Sequence, residues 1–242
     1  GAGAYPVLAD YNGDGLDDLF IGNYGYYDTS YYDEFLFLYT DHIGKLNLFQ
    51  NMGTATNPSY QLMSRDVAGI SELELTGIVP TFGDLDGDGD LDLLTGNENG
   101  SILHYENTAG EGNEMELVFK TATYKTIEVG KYSAPCLFDL NKDGLIDLVI
   151  GERGGNLHYY RNDGSAENPV FTFVTDSLGK VNVIDPNVSL YGFSVPVFFD
   201  DNGETGLLGA VAQQGRVARD HRSAEAGRRC EAAQLLHDFA VK

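Results

Sequence analysis

The sequence predicts an all-β fold assembled from repeated strand-and-turn units. One residue pattern returns three times in register along 242 residues. Each return holds several apolar stretches of four to six residues, separated by Gly, Asn, Asp and Pro, which is strand and turn chemistry. Residues 1–209 contain no helix-length periodic stretch. Composition agrees, since 30 Gly and 15 Tyr without any Trp suit many turns and strands.

The register is set by proline and aspartate. Pro6, Pro80, Pro135 and Pro196 each stand four residues before an aspartate, at Asp10, Asp84, Asp139 and Asp200. After the first three, a nine-residue loop reads DYNGDGLDD, DLDGDGDLD and DLNKDGLID. An apolar run and a glycine follow, ending at Gly22, Gly96 and Gly151. Next comes glycine, an aliphatic residue, an aromatic and asparagine: Gly44, Leu46, Phe49, Asn51; Gly100, Ile102, Tyr105, Asn107; Gly155, Leu157, Tyr160, Asn162. The units run ~60 residues, the size of a four-stranded propeller blade.

The loops carry metal chemistry. Calcium takes six to eight oxygen ligands. Alternating Asp and Asn at positions 1, 3 and 5 point oxygens into one tight turn, and glycine at position 6 permits the bend. A main-chain carbonyl at position 7 and a carboxylate at position 9 close the shell. The ligand sets are Asp10, Asn12, Asp14, the Leu16 carbonyl and Asp18; Asp84, Asp86, Asp88, the Asp90 carbonyl and Asp92; Asp139, Asn141, Asp143, the Leu145 carbonyl and Asp147. A plain surface turn also uses Asn, Asp and Gly, but it has no need of ten carboxylates crowded at positions 1, 3, 5 and 9 of the three loops. Two unpaired charges ~4 Å apart repel by about 4 kcal/mol near the protein surface. Three calcium ions would move the formal charge from −22 to −16. At ~10 times the dissociation constant each adds about 1.4 kcal/mol. The expected role is structural, and no catalytic residue is assigned. EF-hand loops need a carboxylate at position 12; Ile21, Thr95 and Ile150 stand there.

These motifs resemble the FG-GAP/VCBS repeat family, whose blades also form the integrin α-chain head. Phe82-Gly83 precedes the second loop. The resemblance spans roughly residues 1–217. It implies a β-propeller of four-stranded antiparallel blades, with each Asp loop between two strands of a blade and holding one calcium ion. It further implies an extracellular or cell-surface protein serving binding or adhesion, with another protein or a glycan as partner. A carbohydrate-binding module of a secreted protein is the alternative, and an enzyme with a site on the propeller face ranks below it.

The repeat degrades after residue 196. Asp200, Asn202 and Glu204 hold positions 1, 3 and 5, but Thr205 and Leu208 replace the glycine and the last carboxylate. This fourth loop is expected to hold no ion. Residues 210–242 contain none of the 15 Tyr and 6 of the 15 Lys and Arg. Two readings stand for this tail: a weak helix, or out-of-frame sequence. Three complete units and a degraded fourth do not close a ring, so a partial propeller, a fragment or one part of an assembly is expected.

The first unit carries an insertion of 18 residues between Gly22 and Ile43. Tyr24, Tyr26, Tyr27, Tyr31 and Tyr32 lie near Asp33 and Glu34 and form a candidate ligand surface. The competing expectation is a long hairpin whose aromatics pack on the blade, with Phe35-Leu36-Phe37-Leu38-Tyr39 as its strand. A net charge of −22 argues against nucleic acid. No run of 18 apolar residues spans a membrane. No signal segment opens the sequence. Nucleophile triads and phosphate-binding loops are absent from it.

Overall fold

The structure is a computed structural model that describes residues 2–187, 189–201 and 204–207. Three four-stranded antiparallel sheets follow one another in chain order. The first contains β1 (Tyr5–Ala9), β2 (Asp18–Gly22), β5 (Leu46–Asn51) and β6 (Tyr60–Ser64). An extra hairpin, β3 (Tyr26–Tyr32) and β4 (Leu38–Ile43), is inserted before β5. The second is β7 (Val79–Gly83), β8 (Asp92–Gly96), β9 (Ile102–Asn107) and β10 (Leu117–Thr121). The third is β11 (Ala134–Phe138), β12 (Asp147–Gly151), β13 (Leu157–Asn162) and β14 (Phe171–Thr175). A short pair, β15 (Phe198–Asp201) and β16 (Glu204–Leu207), begins a fourth. Each sheet is an up-and-down meander, and β7 packs beside both β1 and β11. The sheets are therefore blades of a partial β-propeller, with the first strand of each blade innermost.

The core lies between blades. Phe20, Leu46 and Leu48 of the first blade meet Leu93, Leu103 and Tyr105 of the second. Leu94 and Ile102 on the second blade's other face meet Leu148 and Ile150 of the third. This explains why β8 is buried at all five positions. Strands buried on both faces lose the alternation of a half-exposed sheet. Each fully buried aliphatic side chain contributes about 1.5–3 kcal/mol. After each outermost strand, a short 310 turn drops one residue into the seam: Ile70, Tyr124 and Leu178.

The repeated glycine and proline form one joint. A Cβ on Gly22, Gly96 or Gly151 would lie 2.1, 1.9 or 2.1 Å from the carbonyl oxygen of Ile78, Ser133 or Ser194. The next atoms met include the ring Cδ of Pro80, Pro135 and Pro196, at 2.7, 2.7 and 2.9 Å. Each blade's second strand thus ends against the chain entering the next blade, at a distance only glycine allows. Proline fits here because the innermost strand is a sheet edge and needs no inward donor.

The insertion departs from expectation. It forms a hairpin, but the aromatics of its outer part do not pack on the blade. Phe35, Leu36 and Phe37 form the tip and are 71%, 80% and 66% exposed; the strand begins at Leu38. Asp33 causes this. Its Oδ1 accepts the N–H groups of Phe35 and Phe37, both at 2.9 Å. Leu36 adopts left-handed backbone with φ 64°. The apolar run is bent into a turn before it can become a strand.

The fourth copy also departs from the loop pattern. Asp200 pairs with Thr205 inside the β15–β16 ladder, so a hairpin stands where the other units have a long loop. Asn202 and Leu208 lie outside the described residues, as does the 210–242 tail.

Candidate metal centre

Each Asp loop connects the first two strands of its blade, and its position-9 aspartate opens the second strand. All three loops sit at the same end of the blades. The position-1 aspartate turns inward. Asp10 Oδ1 accepts the N–H groups of Gly13 and Asp14, and its Oδ2 that of Gly15. Asp84 accepts from Gly87 and Gly89, and Asp139 from Asp143 and Gly144. Position 3 accepts the N–H of position 5 in every loop, at Asn12, Asp86 and Asn141. Position 5 accepts that of position 7: Leu16 onto Asp14, Asp90 onto Asp88, Leu145 onto Asp143. This folds the oxygens of positions 1, 3 and 5 together.

The loops differ in charge. In the first, Asn12 Nδ2 donates to Asp14 Oδ2 at 2.9 Å; in the third, Asn141 donates to Asp143 at 2.8 Å. The second has Asp86 there and no amide to offer. Ligand oxygens of Asp84, Asp86 and Asp88 all lie within 4.8 Å of one another. Asp90 adds a carboxylate that is 6% exposed, with Oδ1 buried and unpartnered. Burial, with Asp88 close by, pushes the Asp86 carboxyl above its ordinary range. The clustered anionic oxygens of Asp84, Asp86 and Asp88 fit a hard divalent cation.

The position-9 residues hold the blade together as well. Asp18, Asp92 and Asp147 are buried, at 0%, 1% and 0% exposure. One oxygen accepts the N–H of position 2, at Tyr11, Leu85 and Leu140. The other accepts the N–H of Asn51, Asn107 and Asn162 at the end of the third strand, at 2.7, 2.8 and 2.8 Å. Those asparagines in turn accept two N–H groups each across the next hairpin: Gly53 and Ser59, Ala109 and Glu116, Gly164 and Val170. The repeated asparagine was visible in the sequence, but its partner was not. Tyr159 adds a hydroxyl donor to Asp147 Oδ2 at 2.8 Å. Burial pushes the Asp92 carboxyl up to about 7 and raises Asp18 and Asp147 in the same direction.

The FG-GAP repeat family model matches residues 6–36 and 76–113. Those two segments match the FG-GAP repeat. The third unit lies outside the matched residues, but its loop makes the corresponding bonds to the aspartates of positions 1, 5 and 9. No curated protein matched the chain.

The candidate ligand surface is split. Tyr27, Tyr31 and Tyr32 are exposed on the hairpin beside Asp33 and Glu34, and Tyr31 stacks on Tyr39 at 5.8 Å. Tyr26 is turned back at the hairpin base, its hydroxyl donating to Asn47 at 3.1 Å. Tyr24 belongs elsewhere, to an aromatic row at the blade end opposite the Asp loops. Tyr24 stacks on Tyr132 at 6.4 Å, Tyr132 meets Phe193 at 4.9 Å, and Phe193 meets Tyr191 at 6.1 Å. The Arg153 guanidinium lies 4.1 Å over the Tyr191 ring. A cavity of about 50 Å³ adjoins this row, lined by Tyr5, Val79, Tyr132 and Phe193 among others. Tyr132 and Phe193 were missed because each lies in the linker entering the next blade, remote in sequence from Tyr24.

Among the described residues, no helix is long and apolar enough to cross a membrane.

Proposed function

We propose that the chain is a calcium-stabilised propeller segment of an extracellular protein that serves binding or adhesion. The observation that carries this is the second loop. Asp84, Asp86 and Asp88 converge there beside a buried, unpartnered Asp90 oxygen. The loops would hold their ions through the oxygens of positions 1, 3, 5 and 9 and the Leu16, Asp90 and Leu145 carbonyls. A bound ion supplies charge neutralisation, and its role is structural. The fourth loop, at Asp200, is read as holding none.

Calorimetric titration of calcium into chelator-stripped protein tests the reading, with a melt before and after. About three sites and a higher melting temperature support it. No heat at millimolar calcium sinks it.

A second reading, glycan recognition, is favoured by the aromatic row. Flat aromatic faces beside Arg153 suit sugar rings and their hydroxyls. A glycan microarray at saturating calcium separates the two. Glycan binding lost in Tyr132→Ala and Tyr191→Ala favours the lectin-like reading; capture of a protein partner without glycan binding favours adhesion.

A further inference from the structure

The turn after each second strand lies at the blade end opposite the Asp loops, and its side chains differ from unit to unit. Two residues beyond Gly22, Gly96 and Gly151 stand Tyr24, Glu98 and Arg153. Their main chains do the same work. The carbonyl of each accepts an N–H from the chain entering the next blade: Gly77 onto Tyr24 at 2.8 Å, Tyr132 onto Glu98 at 3.0 Å, Phe193 onto Arg153 at 3.3 Å. Gly77, Tyr132 and Phe193 therefore hold one equivalent place. The backbone there is left-handed in all three, with φ 72°, 59° and 51°. Glycine takes that conformation freely, whereas a bulky side chain is strained by it. The second and third linkers carry aromatics all the same, and strain of this kind collects at ligand-binding sites.

The polar groups around these rings are set in advance. Glu98 accepts the Tyr132 hydroxyl at 2.9 Å and also the Thr76 hydroxyl. The Arg153 guanidinium is held over the Tyr191 ring, a contact that uses none of its N–H donors. Among the described residues no carboxylate pairs with it. The adjacent Glu152 spends its two oxygens on the N–H groups of Gly154 and Asn156. Lys131 is exposed and its carbonyl accepts the Arg153 N–H at 2.8 Å, so a second cation stands on the neighbouring linker. In a chain with 37 acidic and 15 basic residues, an immobilised cation without a counter-ion calls for an anionic ligand. The loop carboxylates are screened from it. A five-residue strand separates the two blade ends by about 16 Å, roughly two Debye lengths at physiological salt.

We propose that this row binds a short acidic oligosaccharide, with pyranose faces against Tyr24 and Tyr132 and a sugar carboxylate on the Arg153 guanidinium. The proposal rests on the glycan reading above and names its ligand class, a sugar chain bearing hexuronate or sialate.

The test is calorimetry on the full chain at one fixed calcium concentration. Trigalacturonate is compared with its methyl ester, and sialyllactose with lactose. Each control keeps ring faces and hydroxyls but lacks the charge. At least one acid should bind about tenfold or more tighter than its control, and which one does so identifies the source of the carboxylate. Arg153→Gln should remove that advantage and leave the control within twofold. Tyr132→Gly installs the residue that the first linker carries at the same φ, and should weaken acid and control alike by about fivefold. If Tyr132→Gly does not fold by circular dichroism, Arg153→Gln decides alone. An acid that binds within twofold of its control overturns the carboxylate assignment and leaves the glycan reading standing. Acid binding unchanged in both variants overturns the site. A parent that binds neither acid overturns the proposal, and the glycan microarray then shows whether the glycan reading falls with it.

Discussion

Gly96→Ala puts a methyl group into the joint between the second and third blades. The new Cβ would lie 1.9 Å from the Ser133 carbonyl oxygen, 2.6 Å from its carbon and 2.7 Å from the Pro135 ring. Ordinary contact begins near 3.4 Å, so the Ser133 peptide must retreat by more than ~1 Å. Three hydrogen bonds stand in its way: Ser133 N–H to the Asn97 carbonyl at 3.0 Å, Asn97 N–H to Ser133 Oγ at 3.0 Å, and Ser133 Oγ to the Ser101 carbonyl at 2.7 Å. Loss of two of them costs about 2 kcal/mol, and overpacking adds about 1–3 kcal/mol. The entropy gained by replacing glycine returns less than about 1 kcal/mol. The net expectation is about 3 kcal/mol of destabilisation. Urea unfolding at saturating calcium reads it directly, with a melting temperature lower by roughly 6–12 °C. A variant within 1 kcal/mol of the parent would show that the joint yields freely, and the account of the repeated glycine would be wrong.

Three further outcomes are expected. In chelator, the stability of the parent relative to Asp92→Asn falls as pH rises from 6.5 to 8. Burial holds Asp92 at about 7, so the native state keeps a proton that the unfolded chain has already lost, and that contribution disappears as pH rises through the native value. His104, pushed down to about 4 by burial, and His158, lowered in the same way, work in the opposite sense around their unfolded value near 6.5, and the comparison with Asp92→Asn cancels them. A difference between parent and variant that does not fall over pH 6.5–8 would contradict the assignment. Tyr159→Phe removes the hydroxyl donor to buried Asp147 and should cost about 1.5–3 kcal/mol in the same urea assay; no measurable change would show that bond to be idle. Replacing Phe35, Leu36 and Phe37 by serine should leave stability within about 0.5 kcal/mol, because all three are exposed. Light scattering should show less self-association; a large stability loss would mean that the tip packs on the blade after all.

What could be read from the sequence was what is local. The Asp loops declare themselves because their oxygens converge within nine residues. The four-stranded blades followed from the period. The roles of Gly96 and Asn51 were hidden by distance: Gly96 meets Ser133 in the next unit, and Asn51 meets Asp18 across 33 residues. A repeat shows that such residues matter without showing what they touch. The run from Phe35 to Tyr39 misled for the opposite reason. Its composition reads as strand, and one aspartate, Asp33, diverts it into a turn. Position 9 was read as a metal ligand alone, whereas its burial and two N–H partners also make it the pin between the loop and the third strand.

That double use bears on what calcium does to the fold. Asp10, Asp84 and Asp139 already close their loops through main-chain N–H groups. Asp18, Asp92 and Asp147 already tie those loops to the third strand. The loop is therefore shaped by hydrogen bonds before an ion arrives, and what remains against it is repulsion among carboxylates. An ion removes that repulsion without creating the topology. Chelation should lower the melting temperature while leaving the far-ultraviolet β signal unchanged at 20 °C. In small metal domains that have no other core, by contrast, stripping the metal unfolds the chain. Here the inter-blade clusters around Phe20, Leu94 and Val149 persist without it. Loss of the β signal on chelation would show that the carboxylate repulsion outweighs those clusters, and calcium would then be a condition of folding.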